Sequence, residues 1–433
     1  MKKIKTITLG LLIALTTTAC GGAGTQNAGP VELTIWEPFV SSEHIRPLIQ
    51  EYQKAHPNVR IEFVESDRGS YSANLINALA AGNGPDIFAI HNSWLPQYID
   101  KTTPAPEGSW QFVDYKRDFV GTVVDDFTRD NKIYGAALSV DSLALYYNPD
   151  MLASSGVYTP PKTWKELEQA VRKIAVQNSS GYFTRSGLAL GLSSSAPGGK
   201  IHLGEDVLYL FMLQQGVVPW ESDLSRPRFG DAVDRGGERV DAAANALQFY
   251  TSFADPEAAN YSWNTRSDYS IDAFVNRRAA MIFDYSYTRE TIQQKNATLR
   301  FDVAPVPQLN LADQEVNFAN YWGEVVSRQS KNPEVAWDFL KFITSKENLE
   351  IYYATTKVPS SRKDLISLQA SDPEIGVFAH ANSTAKSFLR PEAEKMDSIL
   401  SKMIDRVNFR GQDPDQAVSE AASQAATLTV PRN

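Results

Sequence analysis

Cysteine is almost absent from this sequence. Cys20 is the only cysteine among 433 residues, so no disulfide can form within the chain. Histidine is also scarce, and its spacing matches no metal-ligand motif. The five histidines are His44, His56, His91, His202 and His380. We therefore expect neither a disulfide framework nor a bound metal, and nothing in the sequence indicates a cofactor.

Catalytic signatures are missing as well. The sequence contains no G-x-S-x-G elbow of the kind found in α/β-hydrolases. Gly199-Lys200 is followed by Ile201 and lacks the spaced first glycine of a phosphate-binding loop, which argues against ATP binding. A glycosidase pair of carboxylates stays an open alternative, because Asp and Glu together number 51. We nevertheless expect a protein that is not an enzyme.

Long apolar runs and basic patches are lacking beyond the first 20 residues. No later run approaches the roughly 20 apolar residues that a membrane-spanning helix needs. The formal net charge is −9, and the only dense basic cluster consists of Lys2, Lys3 and Lys5. Because nucleic-acid-binding proteins present a basic face, we expect no nucleic-acid partner. The roughly 400 remaining residues exceed one ordinary core and suit two lobes.

The first 19 residues have the composition of a secretory signal peptide. Lys2, Lys3 and Lys5 precede a short apolar stretch over residues 7–15, and small residues follow at 16–19. This order of basic, apolar and small residues is typical of a cleaved signal. The apolar stretch is too short to remain as a transmembrane helix.

Cys20 directly follows the small residues. Thr17-Thr18-Ala19-Cys20 resembles a bacterial lipoprotein box, although Thr17 stands where such boxes usually have Leu. The resemblance implies cleavage before Cys20 and attachment of lipid to its thiol; the alternative is an inert thiol in a discarded leader. Residues 20–30 are rich in Gly, Ala, Gln and Asn, which predicts a flexible tether between the anchor and the domain.

Hydrophobic periodicity predicts alternating strands and helices over the next 60 residues. Strands are expected at 31–36, 59–63 and 87–90, where apolar residues run together or alternate with polar ones. Apolar residues recur at helical spacing over 45–52 and 75–79 between those strands. This alternation is the signature of an α/β sheet with crossover connections.

Helix start signals recur further along the chain. Thr163 and Glu166 form a capping box. Asn332-Pro333 and Asp413-Pro414 each place a capping residue before a proline at the first helical position. We therefore expect the chain from about residue 333 onward to be mostly helical.

Seven segments, in order over about 300 residues, resemble the sugar-type family of extracellular solute-binding proteins, which includes maltodextrin- and trehalose-binding proteins. The segments are Leu-Thr-Ile-Trp-Glu (33–37), Ala-Leu-Ala-Ala-Gly-Asn-Gly-Pro-Asp-Ile (78–87), Val-Asp-Ser-Leu-Ala-Leu-Tyr-Tyr-Asn-Pro-Asp (140–150), Pro-Pro-Lys-Thr-Trp-Lys-Glu-Leu (160–167), Ala-Ala-Met-Ile-Phe (279–283), Val-Ala-Pro-Val-Pro (303–307) and Ser-Lys-Asn-Pro-Glu-Val-Ala-Trp-Asp-Phe-Leu-Lys-Phe (330–342). The sequence departs from the family at Tyr285, where a small residue is usual, and at 321–324, where a more glycine-rich stretch is usual. Both departures fall near the expected pocket.

The resemblance implies a periplasmic-binding-protein-like α/β fold with two discontinuous lobes joined by crossing strands. Lobe 1 would contain residues 31–140 and 290–345, and lobe 2 would contain residues 141–289 and 346–433. Ligand would bind in the cleft between the lobes.

The resemblance also implies a role and partners. A monomer anchored through lipid at Cys20, outside the cytoplasm, would capture a small polar solute, and the resemblance implies that this solute is a sugar or oligosaccharide. It would deliver the solute to an ABC-type permease and ATPase encoded in trans. A polyol-phosphate or peptide ligand, and a role as a surface adhesin, are the alternatives.

Four candidate ligand-binding residues follow two of the predicted strands. Trp36 and Glu37 end the first strand, and His91 and Asn92 follow the third. Ligands of α/β sheets bind at the carboxyl ends of strands, which favours these positions. The alternative for Trp36 is a place in the core.

The other four candidates come from the resemblance. Asp141 matches an acidic residue that contacts sugar hydroxyls in the family, although Asp also commonly bonds backbone at turns. Tyr285 and Tyr287 stand where the family has an aromatic platform, and Trp322 stands at the second crossover. Aromatic rings stack on the apolar face of a sugar, but large aromatic residues also fill cores.

Overall fold

The computed structural model describes residues 29–221 and 224–428. The predicted signal peptide at 1–19, Cys20 and most of the predicted tether at 20–30 therefore lie outside the described residues. None of the helices in the described part of the chain is both long and apolar enough to span a membrane.

The described residues form strands and helices in alternation. The strands are β1 Val31–Glu37, β2 Val59–Glu65, β3 Ile87–His91, β4 Thr128–Arg129, β5 Lys132–Ile133, β6 Gly135–Ala136, β7 Asp141–Ser142, β8 Ala144–Tyr147, β9 Val176–Gln177, β10 Phe183–Arg185, β11 Val233–Arg235, β12 Glu238–Val240, β13 Met281–Asp284, β14 Asp302–Ala304, β15 Asn317–Asn320, β16 Trp322–Val326 and β17 Ala385–Lys386.

The helices are α1 Ser42–Ala55, α2 Tyr71–Ala81, α3 Leu95–Tyr98, α4 Phe112–Asp118, α5 Gly121–Phe127, α6 Pro149–Ala153, α7 Trp164–Ile174, α8 Gly204–Gln214, α9 Ala242–Ser252, α10 Ser270–Val275, α11 Thr288–Lys295, α12 Pro333–Ile343, α13 Lys346–Thr356, α14 Lys363–Gln369, α15 Gly376–Ala381, α16 Ala393–Arg410 and α17 Pro414–Ala425, with a short 3₁₀ helix at Ile99–Lys101.

A five-stranded sheet organises the first lobe. Its strand order is β2-β1-β3-β16-β6, with β1, β2 and β3 parallel and β16 antiparallel to β3. Val31, Leu33 and Ile35 on β1 are buried and alternate with more exposed neighbours, as the period of a strand requires. The predicted opening strand–helix–strand–helix–strand unit is confirmed.

The second lobe is built around β8, which lies between β13 and β14 in an antiparallel three-stranded sheet. Leu143 and Leu145 pack into one hydrophobic cluster, while Ala144 and Tyr146 pack into another on the opposite face. Helix α8 is buried over nearly its whole length against the first of these clusters. A strand covered on both faces in this way is fully apolar, as the sequence of β8 is.

The later lobe boundaries differ from the predicted ones. Residues 290–316 were expected in lobe 1, but β14 pairs with β8 and Val306 packs into the second-lobe core. Helix α13 was expected in lobe 2, but Leu349 and Tyr353 pack into the first-lobe core. Strand pairing and core packing therefore assign residues 31–140 and 319–366 to the first lobe, and residues 143–318, Phe378 and 388–425 to the second, while Ala385 on β17 packs into the first-lobe core.

The predicted helix starts occur where expected. The Thr163 hydroxyl accepts a hydrogen bond from the Glu166 N–H at 3.2 Å. The Glu166 carboxylate accepts one from the Lys162 N–H at 2.8 Å. Helices α12 and α17 begin at Pro333 and Pro414. The mostly helical character of the C-terminal third is also confirmed.

The revised boundary at α13 can be tested with a matched pair of tyrosines. The Tyr353 hydroxyl donates to the Leu138 carbonyl at 2.7 Å, and the Tyr250 hydroxyl donates to the Leu192 carbonyl at 2.8 Å in the second lobe. Tyr353→Phe should cost about 1–3 kcal/mol, because it leaves the buried Ser361 N–H without its acceptor and the Leu138 carbonyl with only the longer bond from the Ser361 hydroxyl. Native-state hydrogen exchange should then accelerate in β3 and α12, whereas Tyr250→Phe should accelerate exchange in α8 and α9. Faster exchange in the second lobe of Tyr353→Phe would contradict the boundary.

Candidate functional site

A cavity of about 240 Å³ lies between the two lobes. Most of its lining residues are polar or charged, and Trp94 contributes an aromatic ring. The lining residues are His91 and Trp94 from the first lobe, Asn320 at the end of β15, and Ser194, Leu203, Glu205, Asp206, Arg390, Ala393, Glu394 and Asp397 from the second lobe. Residues far apart in the sequence therefore meet here because the lobes are discontinuous.

A directed chain of hydrogen bonds joins the lobes at this cavity. The Ser93 N–H donates to His91 Nδ1 at 3.2 Å, which leaves the ring proton on Nε2. His91 Nε2 then donates to Asn320 Oδ1 at 3.0 Å. Asn320 Nδ2 donates to Asp206 Oδ2 at 2.9 Å. The chain thus fixes the tautomer of His91 and the orientation of the Asn320 amide.

His91 is neutral in this arrangement. Burial and the nearby positive charge of Arg390 lower its pKa from 6.5 to about 3. The Arg390 guanidinium lies 3.4 Å from His91 Nε2. A positive charge on the His91 ring would therefore be repelled by the positive charge of Arg390.

Arg390 is held by carboxylates of the second lobe. It is 5% exposed, and Nη1 lies 2.9 Å from Asp397 Oδ1 and 3.4 Å from Asp206 Oδ1. Burial alone would lower the pKa of Arg390, but the charges of Asp397 and Asp206 outweigh it and raise that pKa. The guanidinium also lies 5.3 Å from the centre of the Tyr209 ring. A buried charge held by partners in this way is a rigid feature of the site.

Trp322 is the centre of an aromatic cluster in the first lobe. Its ring centre lies 4.7 Å from that of Phe39, 5.0 Å from that of Trp94 and 5.7 Å from that of His91. The register of β16 on β3 places Trp322 directly opposite His91. Trp322 is half-buried, and Phe39 is 44% exposed. The cluster thus packs on the core and keeps part of its ring surface accessible.

Two stacked tyrosines stand on the second lobe. Tyr285 is buried, and its hydroxyl donates to Asp206 Oδ2 at 2.7 Å. The Tyr287 ring lies 5.9 Å from the Tyr285 ring at an angle of 17°, and Tyr287 is 53% exposed. Tyr285 therefore supports Asp206 and Tyr287, while Tyr287 presents an accessible ring.

Asp141 connects the crossing strands to the loop that carries these tyrosines. It accepts from the Ser286 N–H at 3.0 Å, from the Ser286 hydroxyl at 2.7 Å and from the Ser142 N–H at 3.0 Å. Burial raises the pKa of Asp141 to about 7, against the lowering effect of the bonds from Ser286. Its register partner on β15 is Asn320. The backbone-bonding alternative for Asp141 is thus observed, next to the cavity.

Comparison with known proteins identifies the family. A family model described as bacterial extracellular solute-binding protein matches residues 40–350. The chain belongs to this family. Family membership carries an extracytoplasmic location and confirms the family resemblance of the sequence.

Two relatives of this solute-binding protein are distant in sequence and match it over most of their length. The galactooligosaccharide-binding protein of Bacillus subtilis is 24% identical, with 98% of this chain and 96% of the relative covered. The maltodextrin-binding protein of Bacillus subtilis is 23% identical, with 83% and 81% covered. These relatives are binding proteins.

Solved structures share the fold. The cyclic α-maltosyl-1,6-maltose binding protein of Arthrobacter globiformis superposes with a TM-score of 0.74 at 18% identity, covering 92% of this chain and 98% of that one. The sugar-binding protein of Xanthomonas citri superposes with a TM-score of 0.73 at 19% identity, covering 92% and 97%. The predicted two-lobe α/β fold is confirmed.

Glu37 does not reach the interlobe cavity. Its carboxyl is 2% exposed and points into the core of the first lobe beside Glu324. Glu37 follows Leu33 and Ile35 at intervals of two, so the pleat of β1 turns it toward α1 and the core. Position at a strand end therefore misplaced this residue.

Trp36 and Asn92 also lie away from the cavity. Trp36 is half-buried and lines a separate groove of about 430 Å³ with Tyr71 and Asn74. Asn92 is 3% exposed and donates to Asp126 Oδ2 at 3.1 Å. Both side chains support the first lobe beneath the site rather than line the cavity.

Of the residues that line the cavity, only His91 was predicted from the sequence as a ligand contact, and Asp206, Arg390 and Asn320 are among those that escaped prediction. Asp206 lies in the first turn of α8, where acidic residues are common because they complement the helix dipole. Arg390 and Asn320 lie outside any recognisable motif, and only the fold brings them to His91. A buried charge at a helix start was the one available signal, and it is a weak one.

Metal binding finds no support in the described ranges. Within residues 29–221 and 224–428, no group of three or more His, Cys, Asp or Glu side chains is placed to hold a metal ion.

The two histidines on either side of the site should titrate differently. His91 should remain neutral between about pH 5 and 8, because its pKa is lowered to about 3. His202 lies 2.9 Å from Asp284 Oδ2; burial lowers its pKa, but Asp284 outweighs burial and raises that pKa above 6.5. Imidazole ¹⁵N shifts measured against pH would show both behaviours. Asp284→Asn should lower the pKa of His202 and leave His91 unchanged, whereas titration of His91 in this range would refute the assigned tautomer chain.

Proposed function

We propose that this protein captures an uncharged sugar or oligosaccharide between its lobes and delivers it to an ABC-type permease and ATPase in trans. The observation that carries the proposal is the composition of the interlobe cavity. A sugar needs hydrogen-bonding groups for its hydroxyls and a flat ring for its C–H face. Asp206, Asn320 and Asp397 supply the first, and Trp94 supplies a ring in the same cavity. A second ring, that of Tyr287, stacks on Tyr285, whose hydroxyl donates to Asp206. The names of the distant relatives point to the same class of ligand.

The charge of the cavity favours an uncharged solute over a polyol-phosphate. Four carboxyl groups line it, from Glu205, Asp206, Glu394 and Asp397, against the single guanidinium of Arg390. His91 adds no charge because its pKa is about 3. Arg390 is already engaged by Asp206 and Asp397. A phosphate would therefore meet net repulsion.

Binding in this cavity would be coupled to lobe closure. His91 and Trp94 belong to one lobe, while Asp206 and Arg390 belong to the other. A ligand that contacts both walls stabilises the closed arrangement by its differential affinity for it. Periplasmic binding proteins are known to close about a hinge around their ligand. No chemical change of the solute and no cofactor are involved in this role.

Ligand identity can be tested with a panel of solutes. Thermal-shift and calorimetric titrations would compare neutral malto- and galacto-oligosaccharides with uronic acids and glycerol phosphate. Neutral saccharides should stabilise and bind the protein, and the anionic solutes should not. Binding of glycerol phosphate alone would contradict the proposed ligand, and binding of no saccharide at all would contradict the function.

Tyr287 is the best aromatic residue to remove, because its exposure separates binding from folding. Tyr287→Ala should weaken saccharide binding by about 2- to 12-fold, the loss of a stacking contact worth about 0.5–1.5 kcal/mol. The melting temperature should change little, since Tyr287 is 53% exposed. Tyr158→Ala, at a tyrosine that is 85% exposed on the same lobe, is the matched control and should retain affinity. If Tyr287→Ala and Tyr158→Ala bind saccharide with equal affinity, Tyr287 does not contact the ligand.

Membrane attachment is proposed to depend on Cys20. A monomer with lipid on this thiol would stay at the outer face of the membrane beside its permease. Cys20→Ser should abolish incorporation of labelled fatty acid and release the processed or unprocessed protein from washed membranes. Mature wild-type protein that starts downstream of residue 20 and remains in the soluble fraction would contradict the anchor.

A further inference from the structure

Two glutamates line one small cavity in the core of the first lobe. Glu37 ends β1 and is 2% exposed, and Glu324 lies on β16 and is 5% exposed. Both line a cavity of about 10 Å³, and every other residue that lines it is apolar. Ile35, Phe63 and Leu340 are among those neighbours. Two ionisable groups are thus enclosed by hydrocarbon.

Each carboxyl has one oxygen that lacks a donor. Glu37 Oε1 accepts from the Phe39 N–H at 3.0 Å. Across the residues that the structure describes, neither Glu37 Oε2 nor Glu324 Oε2 has a hydrogen-bond partner. The cavity lining contains no basic residue. These two oxygens are therefore buried without a compensating charge.

The titratable groups around the pair are tyrosines. Tyr71 lies on α2, Tyr115 on α4 and Tyr352 on α13, and the charges of the pair act on all three. The Tyr71 hydroxyl donates to the Ala89 carbonyl at 2.7 Å, and the Tyr115 hydroxyl donates to the Gly135 carbonyl at 2.8 Å. Both hydroxyls are thus directed to backbone. These neutral groups do not offset the charge of the carboxyls.

An isolated carboxylate in an apolar core is so costly that the group takes up a proton instead. We propose that Glu37 and Glu324 form a buried acid pair that holds at least one proton at neutral pH. The two Oε2 atoms are enclosed and unpaired, and no basic side chain lines the cavity to compensate a carboxylate.

The direction of the pKa shifts agrees with this geometry. Burial raises the pKa of Glu37 to about 7, against bonds from the Phe39 and Val40 backbone. Burial raises the pKa of Glu324 well above its ordinary value, and the charge of Glu37 raises it further. Between pH 4.5 and these raised values the folded protein keeps a proton that the unfolded chain releases. Stability is therefore complete below about pH 4.5 for this pair and is lost as pH rises through the folded pKa values.

The pair is connected to the aromatic cluster of the candidate site through neighbouring residues of the backbone. Glu37 holds the N–H of Phe39, whose ring lies 4.7 Å from that of Trp322. Glu324 follows Trp322 by two residues on β16. A second charge on the pair would therefore disturb the support of the aromatic cluster, although the proposed acid pair does not depend on what ligand binds there.

Charge-removing substitutions test the pair. Glu324→Gln keeps the shape of the side chain and removes its titration, and Glu37→Gln is the second variant in case the first folds poorly. Glu32→Gln, at an exposed position on β1, is the matched control. The wild type and Glu32→Gln should lose up to about tenfold in the folding equilibrium for each pH unit, per proton, above pH 4.5. Either variant of the pair should flatten this slope and be the more stable protein at pH 8 to 9. A slope equal to that of the wild type in both variants would overturn the proposal.

Infrared spectroscopy provides a readout that packing alone would not change. The wild type at pH 7 should show the carbonyl stretch of a protonated, buried carboxylic acid, and this band should disappear or shift in Glu324→Gln and persist in Glu32→Gln. A wild-type spectrum without a protonated carboxyl at pH 7 would overturn the shared proton.

Discussion

The chain crosses between the lobes at β7 and again at β15, and these two strands pair in one small sheet that β17 completes. The rest of the structure depends on this sheet. Strand β15 pairs with β7 on one side and with β17 on the other. Asn382 ties the sheet together: it accepts from the Ser142 hydroxyl at 2.6 Å and donates to the Val140 and Ser360 carbonyls at 2.7 and 3.0 Å. Because Asn382 is fully buried, loss of this amide would leave three polar groups unpaired. The two lobes are thus joined through this three-stranded sheet.

The position of this sheet also explains which residues reach the cavity. Asn320 is the last residue of β15, and Asp141 is its partner at the start of β7. Both side chains therefore keep their place relative to the crossing strands, whichever way the lobes turn. His91 from the first lobe and Asp206 from the second both hydrogen-bond to Asn320. A ligand bound here would contact groups on the crossing strands and groups on each lobe.

Local patterns in the sequence predicted elements well and predicted long-range partners poorly. The opening strands and helices were predictable because apolar residues recur at the period of each element. The place of β14 was not, since three residues, Asp302–Ala304, carry no period and their partner β8 lies more than 150 residues away. Glu37 could have been placed correctly from the alternation of β1, which puts it on the face of Ile35. Arg390 could not, because nothing near it in sequence indicates a cavity.

Buried charge is handled in two different ways in the two lobes, and the difference separates the site from its support. In the second lobe Asp206 and Asp397 surround Arg390, so opposite charges compensate one another. In the first lobe Glu37 and Glu324 line a cavity that is otherwise apolar and holds no basic side chain, which is why we propose neutralisation by a proton there. The second-lobe cluster borders the interlobe cavity, where its fixed groups can orient the hydroxyls of a ligand. Glu324 of the proposed pair follows Trp322 by two residues on β16, so a net charge there would weaken the packing that supports the aromatic cluster.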